Sequence, residues 1–176
     1  MQFFGGGEKL LQRSDVPKSY WNLLDGTADF SKINNAGIEG SIASDTKTPA
    51  GNISYHKNTA WNYPSFAYTV QKGKIYTFSF SVKFKKKMNG AMAVYSDPKY
   101  SILRQTDIDM PNEPLDTWIR TYYTLQSNID GQIQFGISSS VNGDVYVGDY
   151  MLNEGVCPLD WNYSLNDLRS MMSANK

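Results

Sequence analysis

The chain has 176 residues, 40% hydrophobic, 14% aromatic and 19% charged, which is enough apolar material for one domain's core and too much for a disordered chain. Seventeen basic residues balance seventeen acidic ones, so no global field gathers a polyanion, and neither nucleic acid nor a membrane is expected as a partner. One cysteine and one histidine, Cys157 and His56, exclude an intrachain disulfide and most nucleophilic or metal-binding constellations. No apolar run approaches the roughly 20 residues of a membrane helix, and residues 1–7 lack the pattern of a signal peptide, so a soluble chain is expected.

In chain order, residues 1–20 read as an arm, with three glycines at 5–7 and a short stretch closed by Val16-Pro17. Residues 38–42, 51–56 and 65–70 are expected strands. Residues 75–84 alternate: Tyr76, Phe78, Phe80, Val82 and Phe84 share a core face, and Thr77, Ser79, Ser81 and Lys83 a wet one. Lys83, Lys85, Lys86 and Lys87 then read as a solvated strand end that blocks edge pairing rather than as an anion patch. Further strands are predicted over 91–95, 118–125, 132–137 and 144–152, between turn-rich stretches at 88–90, 128–131 and 141–144. Short strands at this spacing, without helices between them, predict an all-β antiparallel sandwich. Ser164 and Asp167 mark a helix start, and Leu165, Leu168 and Met172 fall at helical spacing. The division expected is an N-terminal arm over 1–20, a sandwich over 21–162 and a short C-terminal helix over 163–176. That helix needs a partner for its apolar side: the domain, another subunit or a following domain.

Four stretches carry a resemblance: Trp21-Asn22-Leu23-Leu24-Asp25-Gly26, Lys72-Gly73-Lys74-Ile75-Tyr76-Thr77-Phe78, Asp116-Thr117-Trp118-Ile119-Arg120, and Val145-Tyr146-Val147-Gly148-Asp149 running on to Pro158-Leu159-Asp160-Trp161. Over residues 21–161 the chain resembles the jelly-roll carbohydrate-binding modules of tail, baseplate and host-adhesion proteins of phages that infect Gram-positive bacteria. Related jelly rolls occur in polysaccharide-degrading enzymes and cell-surface proteins. The resemblance implies a jelly roll that grips glycans or that keeps the fold for virion assembly, located in the virion. It also sets the Asn-Leu-Leu segment beside the closing Val-Tyr-Val segment, and puts Asp149 where a structural calcium sometimes binds. Calcium wants roughly six to eight oxygens, and one Asp without an Asp-x-Asp loop does not supply them. No metal and no cofactor are therefore expected, and Asp149 is read as solvated or backbone-bonded.

Sugars present C–H faces that pack on flat rings and hydroxyls that pair with amides, carboxylates and Arg. Three clusters offer this chemistry. The stretch 54–64 carries Tyr55, Trp61 and Tyr63 and reads as a polar loop, in which Trp61 either stacks on sugar or folds back over the sandwich end. In 118–125, the register that the resemblance implies buries Thr121, Tyr123 and Leu125 and so sends Trp118, Arg120 and Tyr122 to the opposite face, a candidate concave surface. Tyr95, with Tyr100 and Arg104, flanks a turn as groove rim or as turn decoration. Gln134, with Gln132, alternates with Ile133 and Phe135 and faces outward. Trp21 and Trp161 are assigned to structure, and His56 to a surface or hydrogen-bonding role.

The expected function is non-catalytic adhesion of a virion protein to host cell-wall polysaccharide, strengthened by homo-oligomeric multivalency and contacts with other virion subunits. Alternatives are a virion assembly protein with its aromatics in interfaces, or an accessory module of a polysaccharide-degrading enzyme. A hydrolase needs paired carboxylates. Glu113, Asp116 and Glu154 show no such spacing, and no catalytic residue is assigned.

Overall fold

The computed structural model describes residues 20–33, 40–87, 91–97, 104–109, 112–139 and 141–174, with backbone alone at 44, 61, 62, 91–97 and 104–109. Most of the expected arm, Tyr100, and the turn beside Tyr95 lie outside these residues. Among the described residues nine strands form two antiparallel sheets: β1 (Ser41–Lys47), β2 (Ile53–Lys57), β3 (Trp61–Val70), β4 (Ile75–Phe84), β5 (Ala91–Asp97), β6 (Arg104–Asp109), β7 (Trp118–Gln126), β8 (Gly131–Ser139) and β9 (Val145–Glu154). One sheet has the order β1-β2-β9-β4-β7 and the other β3-β8-β5-β6. The all-β sandwich with a short C-terminal helix is the fold expected from alternation.

β4 lies between β9 and β7, so its lysines do not guard an edge. Lys83 sits within the strand beside Trp118, and Lys85 pairs with Asp116. The face of β4 expected to be wet is also covered, since Thr77, Ser79 and Ser81 are fully buried. β6 was not expected: Arg-Gln-Thr-Asp-Ile-Asp has no apolar alternation, which suits an edge strand. β2 answers the strand expected over 51–56, and β3 takes in the one expected over 65–70 but starts at Trp61, so most of the stretch 54–64 is strand and not a loop.

The core forms where the two sheets face each other. Tyr150 on β9 lies 5.3 Å from Phe66 of β3 and 5.6 Å and 6.1 Å from Phe78 and Phe80 of β4, ring centre to ring centre. Each such aromatic pair adds about 0.5–1.5 kcal/mol beyond the area it buries. Phe30, from the segment ahead of β1, closes the cluster against Tyr55, Phe66 and Tyr150.

That leading segment is held by Asn22, which is 2% exposed. Its amide donates to Thr27 Oγ1 and to the Tyr150 carbonyl, and its Oδ1 accepts from the backbone N–H groups of Leu24 and Leu152. The Asn-Leu-Leu segment thus lies on β9, as the resemblance implies, but against 150–152 rather than Val145-Tyr146-Val147. Asn22→Ala orphans two buried N–H groups and a carbonyl, and is expected to lower the stability by about 2–4 kcal/mol in denaturant titration. A loss below half a kilocalorie would show that Asn22 is not the clip.

Helix α1 (Leu165–Ala174) starts as the sequence predicts: Ser164 Oγ accepts the Asp167 N–H at 3.0 Å. The Asp167 carboxylate reaches back to the Gly26 N–H at 3.0 and 3.1 Å. The helix buries none of its residues, and Leu165, Met171 and Met172 are exposed.

Candidate functional site

The β4–β7 register sets Lys83 opposite Trp118, Ser81 opposite Arg120 and Ser79 opposite Tyr122. Phe78, Phe80 and Val82 face the core, so period two turns these six side chains to the outer surface of the five-stranded sheet. Tyr123 and Leu125 are buried as that register requires, while Thr121 is only half-buried. On this surface lies a cleft of about 600 Å³. Ser81 and Asp149 form its buried floor, with Arg120 across them, and Trp118, Trp161, Asp160 and the Pro49-Ala50 turn form its sides.

The floor depends on a β-bulge. Ser79 pairs with Met151 while Ser81 pairs with Gly148, so β9 has one residue more than β4 between these pairs. Asp149 takes the extra position at φ 51, a left-handed conformation that Asp tolerates better than most residues. Gly148 precedes it because a Cβ there would come within 2.5 Å of Thr48 Cγ2.

The Asp149 carboxylate is 1% exposed and accepts four hydrogen bonds: from Thr48 Oγ1, Asn52 Nδ2, Ser81 Oγ and the Ala50 N–H. It is therefore buried and bonded mainly to side chains, neither solvated nor purely backbone-bonded. A carboxylate filled by four donors has no lone pairs turned toward a cation. Among the described residues no group of three His, Cys, Asp or Glu is placed to hold a metal ion.

Arg120 spans the floor. One guanidinium nitrogen donates to the Asp149 carbonyl (2.9 Å) and Ser81 Oγ (3.4 Å), the other to Ser79 Oγ (2.8 Å) and the Leu159 carbonyl (3.1 Å). Desolvation lowers the guanidinium pKa, and the charges of Asp149 and Asp160 oppose that shift. Arg remains protonated in any case.

From Trp118 an in-register row crosses four strands. Lys83 Nζ lies 5.1 Å from the Trp118 ring and 5.0 Å from that of Tyr146, and His56 stacks on Tyr146 at 4.5 Å. His56 Nε2 meets Asp144 Oδ1 at 2.8 Å, which gives the lone histidine a hydrogen-bonding role.

The predicted binding residues do not form one site. Trp118 and Arg120 line the cleft; Tyr122 shares their face and is 55% exposed, but lies outside the lining. Tyr55 and Tyr63 are core residues at 6% and 0% exposure, so neither is a stacking platform. Tyr63 sits so deep that burial pushes its hydroxyl pKa well up. Gln134 and Tyr95 belong to the other sheet, where Gln134 accepts from Ser65 Oγ at 3.5 Å. The side chains of Trp61 and Tyr95 fall outside the described residues. Trp161, assigned to structure, has that role through Nε1–H to Thr27 Oγ1 at 3.0 Å, yet it also walls the cleft. Asp160 was missed; its signal was Pro158-Leu159-Asp160-Trp161 directly after the last strand.

No protein-family model matches the sequence, and no curated protein matches it at a significant level. Solved structures do. The CBM22-1 xylan-binding domain from Paenibacillus barcinonensis Xyn10C superposes with a TM-score of 0.54 at 14% identity, over 78% of this chain and 94% of that one. The chain shares the β-sandwich jelly-roll fold of that module. The CBM22-1–GH10 modules of Clostridium thermocellum xylanase 10B, solved with xylohexaose, give 0.55 at 11% identity over 79% of this chain and 29% of that one. A family 16 carbohydrate-binding module gives 0.52 at 12% identity over 74% and 97%. At such identities the likeness is one of fold, and function has to be argued from the cleft.

Proposed function

We propose that the chain is a non-catalytic glycan-binding module whose site is the cleft between Trp118 and Trp161. The observation that carries this reading is the pairing of two indoles with Asp160 in a cleft of about 600 Å³, on a fold whose solved neighbours include xylan-binding modules. Indoles offer apolar faces to sugar C–H groups, and an exposed carboxylate accepts sugar hydroxyls. The absence of catalysis fits the carboxylates: Asp116 pairs with Lys85, Glu154 pairs with Lys74, and Asp149 is filled with donors. The resemblance over residues 21–161 supports host cell-wall polysaccharide as the ligand and a phage tail or baseplate as the setting, with repeated copies raising weak single-site affinity.

Purified protein is expected to bind Gram-positive cell walls saturably and to select glycans on an array. Trp118→Ala and Trp161→Ala should each weaken binding about 10- to 100-fold, or roughly 1.4–2.8 kcal/mol. Wild-type protein that binds no wall and no glycan, even when multimerised, would sink the reading. The exposed Leu165, Met171 and Met172 of α1 favour the second reading, virion assembly, which that negative result would leave standing.

A further inference from the structure

Arg120 is the cation of the cleft, and an arginine among indoles suggests a receptor for acidic sugars or phosphate. Its hydrogen bonds argue otherwise. A guanidinium has five N–H groups, and the four contacts of Arg120 all go to acceptors of the protein itself: Ser79, Ser81 and the carbonyls of Asp149 and Leu159. Two of these acceptors sit on β4, one on the β9 bulge and one on the segment that leads directly to Asp160 and Trp161. The opposite side of the cleft is fixed from the same bulge, because the Asp149 carboxylate holds Thr48, Ala50 and Asn52 around the Pro49-Ala50 turn. The charges agree: one arginine and two aspartates line the cleft, and the neighbouring Lys83 ammonium is turned to the Tyr146 and Trp118 rings.

We infer that Arg120 is a positioning residue, bracing the Trp161 wall against the sheet, and that the glycan taken up between the indoles is uncharged, with Asp160 accepting its hydroxyls. This rests on the glycan-binding reading above and narrows it. An anionic wall polymer meets the exposed Asp160 carboxylate and a guanidinium whose four hydrogen bonds already go to the protein.

The test is affinity electrophoresis through gels containing xylan or mixed-linkage glucan as uncharged probes and polygalacturonate or poly(glycerol phosphate) as anionic ones. Uncharged polymers should retard the wild type equally at about 0.05 and 0.5 M salt, where screening lengths differ several-fold, and anionic ones should not retard it. Arg120→Ala and Arg120→Lys should both lose about tenfold or more in affinity and change the near-ultraviolet circular dichroism of the tryptophans, since one ammonium cannot span four acceptors. Asp160→Asn should weaken binding with that spectrum unchanged. Retardation by an anionic polymer that fades with salt, or full binding by Arg120→Lys, would overturn the inference and leave glycan binding intact. Retardation by no polymer would overturn the glycan reading and this inference with it. The wild-type salt profile and Asp160→Asn decide the matter even if the Arg120 variants fail to fold.

Discussion

Asp149→Ala is expected to cost about 3–5 kcal/mol of folding stability, among the largest effects of a single substitution. The substitution leaves the hydroxyls of Thr48 and Ser81 and the amide of Asn52 without their shared acceptor, and all three residues are buried. It also places alanine at φ 51, where Asp is tolerated and Ala is strained. Asp149→Asn keeps the backbone preference and one oxygen, but turns an NH₂ toward existing donors, so it should lose less than alanine and still more than about 1 kcal/mol. Guanidinium titrations of the three proteins check the order. A loss below about 1 kcal/mol for alanine would mean that water replaces the carboxylate, and the bulge would not be the hub of the cleft.

The second large effect is at Phe30, 2% exposed and held at φ 59. A bulky residue in the left-handed region is a true backbone outlier, and it persists only because its surroundings over-determine it. Here those surroundings are the rings of Tyr55, Phe66 and Tyr150, at centre distances of 5.6, 6.2 and 6.1 Å. Phe30→Ala removes the ring and keeps the strain, and should lose about 3–5 kcal/mol. Phe30→Gly removes the ring and relieves the strain, so it should be more stable than the alanine variant by about 1 kcal/mol. That order reverses the usual ranking of Gly below Ala. Thermal unfolding of both variants reads it directly, and glycine at or below alanine would refute the backbone argument.

What could be read from the sequence was whatever repeats with period two. β4 alternates cleanly, so its boundaries and its core face followed from the residues alone, while β7 was read to within one residue and its outward set Trp118, Arg120 and Tyr122 followed from the register the resemblance implies. β6 was missed because an edge strand needs no apolar face. Tyr55 and Tyr63 were misread because His56, Lys57, Asn58, Asn62 and Pro64 give the stretch a loop's composition, while the chain crosses from one sheet to the other and buries both rings. The cleft itself could be read only in part. Arg120 depends on the carbonyls of Asp149 and Leu159, and a backbone acceptor leaves no mark in side-chain composition. Asp149 owes its place to a bulge, which shifts register by one residue and is invisible until its partner strand is known.

The ties between the leading segment and the stretch that becomes α1 also have a mechanical side. Asn162 reaches the Tyr20 carbonyl, the Asn22 N–H reaches Tyr163, Asn166 reaches Asp25, Asp167 accepts from Gly26, and Trp161 donates to Thr27. The two segments run parallel at the Asn22–Ser164 bridge. Tension applied backward from Tyr20 and forward from α1 therefore slides one segment along the other, loading these bonds side by side instead of peeling them in turn. The sandwich beyond the bridge is shielded from the load until this clamp yields, and Trp161, one wall of the cleft, is bonded into the clamp itself.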